Sequence, residues 1–195
     1  ADVYMRHIFD YAAKNNLVVM IHPELDDMDD LHVAVSHNPD TIFLIHGIID
    51  SGGIMKTGAG RESISAGRES ISEPLDSLFE KHQNIYFSVD AALMLGYSLM
   101  DACMYDKDQF MTTVGSDVLY KRLLSDSVGF WKPVIEGHPA KMMWGTDLAY
   151  WWHYDADVIH EIVGFGRDFI AHLDPSVQER FAYLNALDML NIAEE

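Results

Sequence analysis

The chain has 195 residues, of which 49% are apolar and 23% are charged, and this balance predicts one folded domain, 1–195, with a sizeable core. Its formal net charge of −18 excludes a nucleic-acid backbone or an anionic membrane surface as partner, because both require clustered Lys and Arg. A single cysteine, Cys103, excludes an intrachain disulfide and fits a reducing compartment such as the cytoplasm. No apolar run is long enough to predict a membrane span.

Strands and helices alternate along the sequence. Short apolar runs predict strands at 17–21, 41–45, 84–89 and 141–145. Helical spacing or helix-start signals predict helices at 3–15, 29–36, 74–81, most of 91–128, 155–173 and from 175 onward. The run at 17–21, Leu-Val-Val-Met-Ile, is typical of a strand buried on both faces. Asp174 is predicted to cap the last helix, with Pro175 in its first turn. This order of elements predicts an α/β fold with a parallel sheet.

A polar, Gly-rich stretch at 51–72 interrupts this pattern. It contains the sequence Ala-Gly-Arg-Glu-Ser-Ile-Ser twice in tandem, at 59–65 and 66–72. We interpret the repeat as a local duplication in a tolerant surface loop. The alternative is a mobile lid, because the loop leaves directly from a predicted strand end.

Three polar residues stand directly after predicted strands, or very close to their ends. His22 and His46 are 24 residues apart, about one strand-helix unit, and are therefore expected on neighbouring strands, while Asp147 follows the fourth strand. The carboxyl ends of parallel strands lie at one edge of a sheet, where such folds bind ligands. Imidazole and carboxylate groups hold Zn²⁺ and similar ions, which lower the pKa of bound water toward about 7. The alternative is a structural histidine, or an aspartate that caps the next helix.

Other polar and aromatic groups are weaker candidates. Glu24 fits a solvated acidic turn better than a pocket wall. The aromatic stretch at 150–153 would either shape an apolar substrate pocket or pack on a neighbouring subunit. Six further histidines that fall on predicted helices or turns are expected to be structural or on the surface: His32, His37, His82, His138, His160 and His172.

Four segments resemble the amidohydrolase superfamily, in the branch related to aminocarboxymuconate semialdehyde decarboxylase. They are Leu-Val-Val-Met-Ile-His at 17–22, Thr-Ile-Phe-Leu-Ile-His-Gly at 41–47, Asn-Ile-Tyr-Phe-Ser at 84–88 and Met-Met-Trp-Gly-Thr-Asp at 142–147. The chain ending is similar to the last helix of that family, in which an Asn-Ala pair such as Asn185-Ala186 is usual.

The resemblance implies a (β/α)₈ TIM-barrel type of fold and a divalent metal, with Zn²⁺ expected. By position, His22 matches a metal-ligand histidine at the end of the fifth barrel strand. His46 matches the histidine after the sixth strand, which binds or polarises the substrate or the attacking water. Asp147 matches the aspartate after the eighth strand, which is a metal ligand or a general base.

The departure from the family pattern is equally informative. Family members carry a His-x-His pair on the first barrel strand, and this sequence has none and predicts only about four strands. We therefore expect a partial barrel, the last four strand-helix units, cut from a longer chain that would not begin at Ala1. The open sheet edges of a half barrel favour self-association, so a homo-oligomer is expected.

Three hypotheses follow for function. The first is a metal-dependent hydrolase acting on a small organic acid, ester or amide, with a non-oxidative decarboxylase of the same family as the alternative. In it, His22 and Asp147 hold the metal, and His46 and Asp147 are catalytic. The second is a truncated, catalytically inactive chain. The third, with less support, is a binding module that uses the surface at Trp151 and Trp152.

Overall fold

The computed structural model describes residues 3–23, 28–46, 73–91, 106–148 and 150–192. The repeat stretch at 51–72, Glu24 and Cys103, for which the sequence made predictions, lie outside the described residues. Within the described ranges, no helix combines the length and the apolar character that crossing a bilayer requires.

The described residues alternate between strands and helices, as the sequence predicts. The strands are β1 (Val18–Ile21), β2 (Ile42–His46), β3 (Ile85–Asp90) and β4 (Met142–Gly145). The first helices are α1 (Val3–Lys14), α2 (Met28–Ser36) and α3 (73–81). The later helices are α4 (Lys107–Val114), α5 (Asp117–Gly137), α6 (Ala156–Ile170) and α7, which runs from Pro175–Glu179 through a wide π-type turn, Arg180–Leu184, into Asn185–Leu190. A short 3₁₀ turn, Trp151–Tyr154, follows β4.

The four strands form one parallel sheet in the order β1-β2-β3-β4. The predicted α/β class with a parallel sheet is thus confirmed. Each strand pairs with the strand that precedes or follows it in the sequence, and a helical connection carries the chain back so that the two run parallel. The carboxyl ends of all four strands therefore lie at the same end of the sheet.

The sheet has two unlike faces, because alternate residues of a strand point to opposite sides. One face, which includes Phe43, Phe87 and Met142, packs against the helices and forms the main hydrophobic core. The largest fully buried side chains of that core include Trp131 and Phe165. The other face has a small buried cluster made of Leu44, Met143 and Met189.

Strand β1 is less buried than its apolar sequence predicts. The Met20 side chain is 63% exposed, and Val18, Val19 and Ile21 are only half-buried. In the described part of the chain, β1 is an edge strand that pairs with β2 alone. The prediction of burial on both faces is therefore wrong for β1. Strand β4 is also at an edge of the described sheet, but Met189 of α7 packs with its Met143, whereas Met20 of β1 keeps most of its surface exposed.

Helix α5 is longer than the sequence pattern indicates. We predicted a mostly helical region that ends at residue 128, but α5 continues to Gly137 and includes Pro133. Gly and Pro normally argue against a helix interior. The helix continues here because Phe130 and Ile135 are fully buried in the main hydrophobic core, which offsets the unfavourable local propensity.

The start of α7 agrees with the sequence. The Asp174 side chain accepts a hydrogen bond of 2.9 Å from the Ser176 backbone N–H, and Pro175 occupies the first turn. Further along α7, Asn185 is completely buried, and its amide donates to the carbonyl oxygens of Pro139 (2.8 Å) and Met142 (2.7 Å). Asn185 thereby joins the last helix to the start of β4, which gives a structural reason for an asparagine at this position.

Replacing Asn185 with alanine is expected to lower the free energy of unfolding by roughly 2 kcal/mol, because two carbonyl groups lose their donors inside the protein. Asp188→Ala is the matched control on the same helix, since it removes only an exposed ion pair with Arg180 and should change stability by less than about 1 kcal/mol. Urea unfolding followed by circular dichroism measures both. Equal effects of the two substitutions would contradict the role of Asn185.

Two glycines of α6 offer a second matched pair. A Cβ atom on Gly166 would lie 2.7 Å from the Trp144 indole, whereas one on Gly164 meets nothing within 4 Å. Gly166→Ala is expected to destabilise the protein by about 1–2 kcal/mol despite alanine's better helix propensity, because the partly buried indole packs against the main core and cannot move freely. Gly164→Ala should instead stabilise it by up to about 1 kcal/mol. Thermal unfolding of the two variants checks the opposite signs.

Candidate metal centre

The sheet register brings polar residues of all four strands to one edge and one face. Ile21 pairs with Ile45, so His22 and His46, each the next residue, stand level at the carboxyl ends of β1 and β2. Asp90 is the last residue of β3 and pairs with Gly145, and Asp147 lies two residues beyond Gly145. Because side chains alternate along a strand, His46 and Asp90 point to the same side of the sheet, opposite the main hydrophobic core.

His46 lies between two carboxylates. Its Nε2 is 3.2 Å from Asp147 Oδ1, within hydrogen-bond distance, and its Nδ1 is 3.5 Å from Asp90 Oδ2. Asp90 is only 2% exposed, whereas His46 and Asp147 are half-buried. Both nitrogens of the ring thus face an acidic group, which fixes the orientation of the imidazole and makes the site negatively charged.

His22 stands beside His46 on the β1 side. The two rings lie edge to face, with centroids 5.6 Å apart and an interplanar angle of 86°. Partial burial of the otherwise exposed ring and the neighbouring His46 lower the pKa of His22, and the charge of Asp147 opposes this only in part. At neutral pH, His22 therefore presents a neutral imidazole, which is the form that binds metals or accepts a proton.

Asp147 has a left-handed backbone conformation, with φ of 47°. This region is unfavourable for residues with a Cβ atom, although aspartate tolerates it better than most. Such strain persists only where the surroundings enforce it, and it occurs disproportionately at functional sites. The conformation directs the Asp147 carboxylate back toward His46 rather than along the strand.

His153 contacts the backbone of Asp147. The His153 ring is buried, its Nδ1 accepts a hydrogen bond of 3.3 Å from the Tyr150 N–H, and its side chain also bonds the backbone of Asp147. Burial lowers the pKa of His153. A neutral ring that accepts at Nδ1 carries its proton on Nε2, so it donates to the Asp147 carbonyl oxygen and helps hold that residue in its strained conformation.

Gly145 allows the β3 and β4 ends to approach each other. A Cβ atom at this position would lie 2.6 Å from Ser88 Oγ and 3.7 Å from the Asp90 Cβ. A larger residue would force either the Ser88 hydroxyl to rotate away or β4 to move back from β3, and the second change would shift Asp147 relative to Asp90. The glycine is favoured by this close contact beside the site and not by an unusual turn.

The aromatic residues after Asp147 have contrasting environments. Trp152 is 4% exposed and packs within the chain against Phe110 and His153, with ring centroids 5.7 and 4.2 Å apart. Trp151 is 80% exposed. Trp152 and His153 therefore stabilise the loop that carries Asp147, and Trp151 alone of the two tryptophans offers its ring to solvent.

His46, Asp90 and Asp147 form a group that suits a metal ion. One ligand atom from each residue can be chosen so that all three atoms lie within 4.8 Å of one another. An imidazole nitrogen and carboxylate oxygens are donors that zinc and related divalent ions accept. The site can therefore gather one cation at the carboxyl edge of the sheet and keep part of its surface open to solvent.

The structure brings together His22, His46 and Asp147, the three residues that the sequence singled out. Sequence reasoning missed Asp90. The same signal was present there, since Asp90 directly follows the apolar run of β3. It also missed the supporting role of His153, which depends on contacts with Tyr150 and the Asp147 backbone and leaves no pattern in the sequence.

A comparison with solved structures finds a similar protein. The chain superposes on the crystal structure of an amidohydrolase from Burkholderia multivorans with bound zinc, with a TM-score of 0.57 and 9% sequence identity. This likeness establishes the fold. The match covers 98% of this chain and 58% of the amidohydrolase, so the chain spans little more than half the length of that structure. No protein-family model and no curated protein matches the sequence.

Proposed function

We propose that this protein is a metal-dependent hydrolase of the amidohydrolase type that acts on a small organic acid, ester or amide. The observation that carries the proposal is the meeting of His46, Asp90 and Asp147 at the carboxyl edge of a parallel sheet. The fold likeness to a zinc-bound amidohydrolase supports it independently of this geometry. The family resemblance of the strand-end segments supports it from the sequence.

The donor set fits a catalytic zinc ion. One imidazole and two carboxylates offset the charge of a divalent cation, and catalytic zinc sites combine three protein ligands with one open position. Bound there, such an ion would polarise a substrate carbonyl and lower the pKa of water. We propose that His46, Asp90 and Asp147 hold it, with His22 adjacent.

The side chains themselves divide the remaining chemistry. Asp147 has a second carboxylate oxygen, which can accept a proton from an attacking water as a general base. The two imidazoles share the roles of ligand and of acid or base at the substrate. The sequence assigned the ligand role to His22 and the catalytic role to His46. The position of His46 between two carboxylates favours the reverse assignment.

Zinc titration with a paired activity assay tests the proposal. The chain is stripped with a chelator, titrated with Zn²⁺ by calorimetry, and assayed on small esters, lactones and amides. We expect about one equivalent to bind at this centre and hydrolysis to require it, with loss on chelation and recovery on readdition. Binding of well under one equivalent would refute the proposal. Release of CO₂ from a small carboxylic acid, without hydrolysis, would instead support the decarboxylase alternative.

The extent of the fold supports a further part of the proposal. We propose that 1–195 is a single domain equivalent to about the last four strand-helix units of a (β/α)₈ barrel, with 51–72 as a polar loop. The open β1 edge and the exposed apolar side chains of β1 and α1, Met20 at 63%, Tyr4 at 77% and Tyr11 at 64%, favour a homo-oligomer. Sedimentation equilibrium tests this, and a monomer at all concentrations would contradict it.

A zinc-bound chain without turnover would favour a different function. The chain spans 58% of the similar amidohydrolase, and a metal site can form without a complete substrate pocket. Stoichiometric Zn²⁺ binding combined with no hydrolysis and no decarboxylation would identify a catalytically inactive chain. The zinc and activity measurements therefore separate the two functions in one experiment.

A further inference from the structure

A second pair of histidines lies at the other end of the sheet. His32 is on α2, and His82 follows α3 directly, three residues before β3 begins at Ile85. The candidate metal centre lies at the opposite end of β3, beside Asp90. The sequence predicted a structural or surface role for both histidines.

The two rings are in direct contact. His32 Nδ1 lies 2.9 Å from His82 Nε2, with ring centroids 5.1 Å apart. At this distance one nitrogen donates a proton and the other accepts it, so one ring carries its proton at the contact and the other on its far side. His82 is 8% exposed and His32 is half-buried. The pair is therefore held by the packing of α2 against the end of α3.

A cavity of about 510 Å³ opens beside the pair. Its lining includes His32 and His82 together with Ser36, Lys81 and Gln83. The space is large enough for an ion with several water molecules. The cavity thus gives solvent a path to the pair, although His82 itself is mostly enclosed.

The local electrostatics favour a cation over an anion at this cavity. Helix α2 ends at Ser36 and α3 ends at residue 81, so both helices present their carbonyl ends, which carry partial negative charge, on this side. Burial is the main cause that lowers the pKa of both His32 and His82, so at neutral pH neither ring supplies a positive charge to an anion. The positive charge of Lys81 repels a cation, and the negative charge of Asp29, which also acts on His32, partly offsets this repulsion.

We propose that His32 and His82 form a second metal site that takes a transition-metal cation of the zinc, nickel or copper class. Imidazole is a preferred ligand of these ions. Two imidazole nitrogens on a tetrahedral ion with bonds of about 2.0–2.1 Å are roughly 3.3 Å apart, so the contact must open by only a few tenths of an ångström. Binding moves the proton of the donor ring to its outer nitrogen, so both rings stay neutral and no net proton is released. Water molecules complete the coordination.

The test requires a protein without the first centre. In the His46→Ala, Asp147→Asn double variant, Zn²⁺ titration by calorimetry is expected to retain about one equivalent. Adding His32→Gln should weaken this binding by at least about tenfold. His37→Gln, an exposed histidine close by on the chain, should leave it unchanged. Lys81→Gln should strengthen it severalfold, because an opposing positive charge is removed, and that gain is not expected from a merely structural pair.

The outcomes are decisive in both directions. ¹⁵N spectra of the imidazoles should shift for His32 and His82 on addition of Zn²⁺ and not for His37. Absence of zinc binding in the double variant, or equal affinity with and without His32→Gln, would overturn the proposal. His32→Gln is used rather than His82→Gln because His32 is half-buried, so its replacement disturbs folding less than replacement of the enclosed His82. The result is independent of whether the first centre is catalytic.

Discussion

Replacing Asp147 with glycine is expected to stabilise the metal-free protein while weakening Zn²⁺ binding by about 100-fold or more. The backbone φ of 47° strains any residue with a Cβ atom, and glycine adopts this conformation freely. The left-handed region disfavours most residues with a Cβ atom by about 1–2 kcal/mol, and the value for aspartate is at the low end because aspartate tolerates this region. The greater freedom of glycine in the unfolded chain offsets about 0.4–1 kcal/mol of the gain, so the free energy of unfolding increases by at most about 0.5 kcal/mol.

The loss of metal affinity has a separate cause. Asp147 supplies one of the three ligand atoms of the candidate centre, and its carboxylate is also the group nearest His46 Nε2. A glycine removes the ligand and half of the negative charge that attracts the ion. The free energy of unfolding should therefore rise while the zinc affinity falls, which is typical of a strained residue that is retained for its function.

Two other residues provide matched controls. Asn16 and Asn191 also have positive φ angles, 53° and 55°, and neither belongs to the centre. Asn16→Gly and Asn191→Gly should produce a similar small stabilisation without any change in zinc affinity. Chemical unfolding in a chelating buffer and zinc calorimetry measure the two properties. Unchanged zinc affinity in Asp147→Gly would exclude Asp147 as a ligand.

Removal of His46 is expected to cause a larger loss of zinc affinity than removal of His22. His46 belongs to the group whose ligand atoms lie within 4.8 Å of one another, whereas His22 is exposed and contacts the edge of the His46 ring. We expect His46→Ala to reduce zinc affinity about 100-fold and His22→Ala about tenfold or less. If the chain turns over substrate, His22→Ala should lower kcat while zinc remains bound.

Asp90→Asn completes this comparison. The substitution keeps the size of a side chain that is 2% exposed and removes its charge, so it should reduce zinc affinity between about 10-fold and 100-fold. Metal analysis after dialysis, together with kcat and KM, separates ligand loss from catalytic loss. The reverse pattern, with zinc lost in His22→Ala and retained in His46→Ala, would support the roles that the sequence assigned.

Much of the fold follows from local patterns in the sequence. The short apolar runs at 41–45, 84–89 and 141–145 lie where β2, β3 and β4 form, because a run of this length and composition suits a strand buried in a parallel sheet. Asp174 caps α7 as its position before Pro175 predicts. Local chemistry is sufficient in these cases, because the interactions involve residues close together in sequence.

Other features depended on contacts between distant residues. The predicted helix end at 128 was wrong, because burial of Phe130 and Ile135 carries α5 through Gly129 and Pro133. Burial of β1 on both faces was wrong, because Met20 stays 63% exposed, whereas Met143 on the other edge strand, β4, packs with Met189 of the last helix. No local pattern reveals which face of a strand another element will cover.

The sequence by itself determined that His22, His46 and Asp147 lie at strand ends, because polar residues after buried apolar runs must emerge at the carboxyl edge of a parallel sheet. Only the tertiary structure decided how they meet. Register places Asp90 level with Gly145, a positive φ directs Asp147 toward His46, and helix packing joins His32 to His82. These contacts join residues that are 50 or 101 positions apart, as in His32–His82 and His46–Asp147, so sequence spacing alone does not encode them.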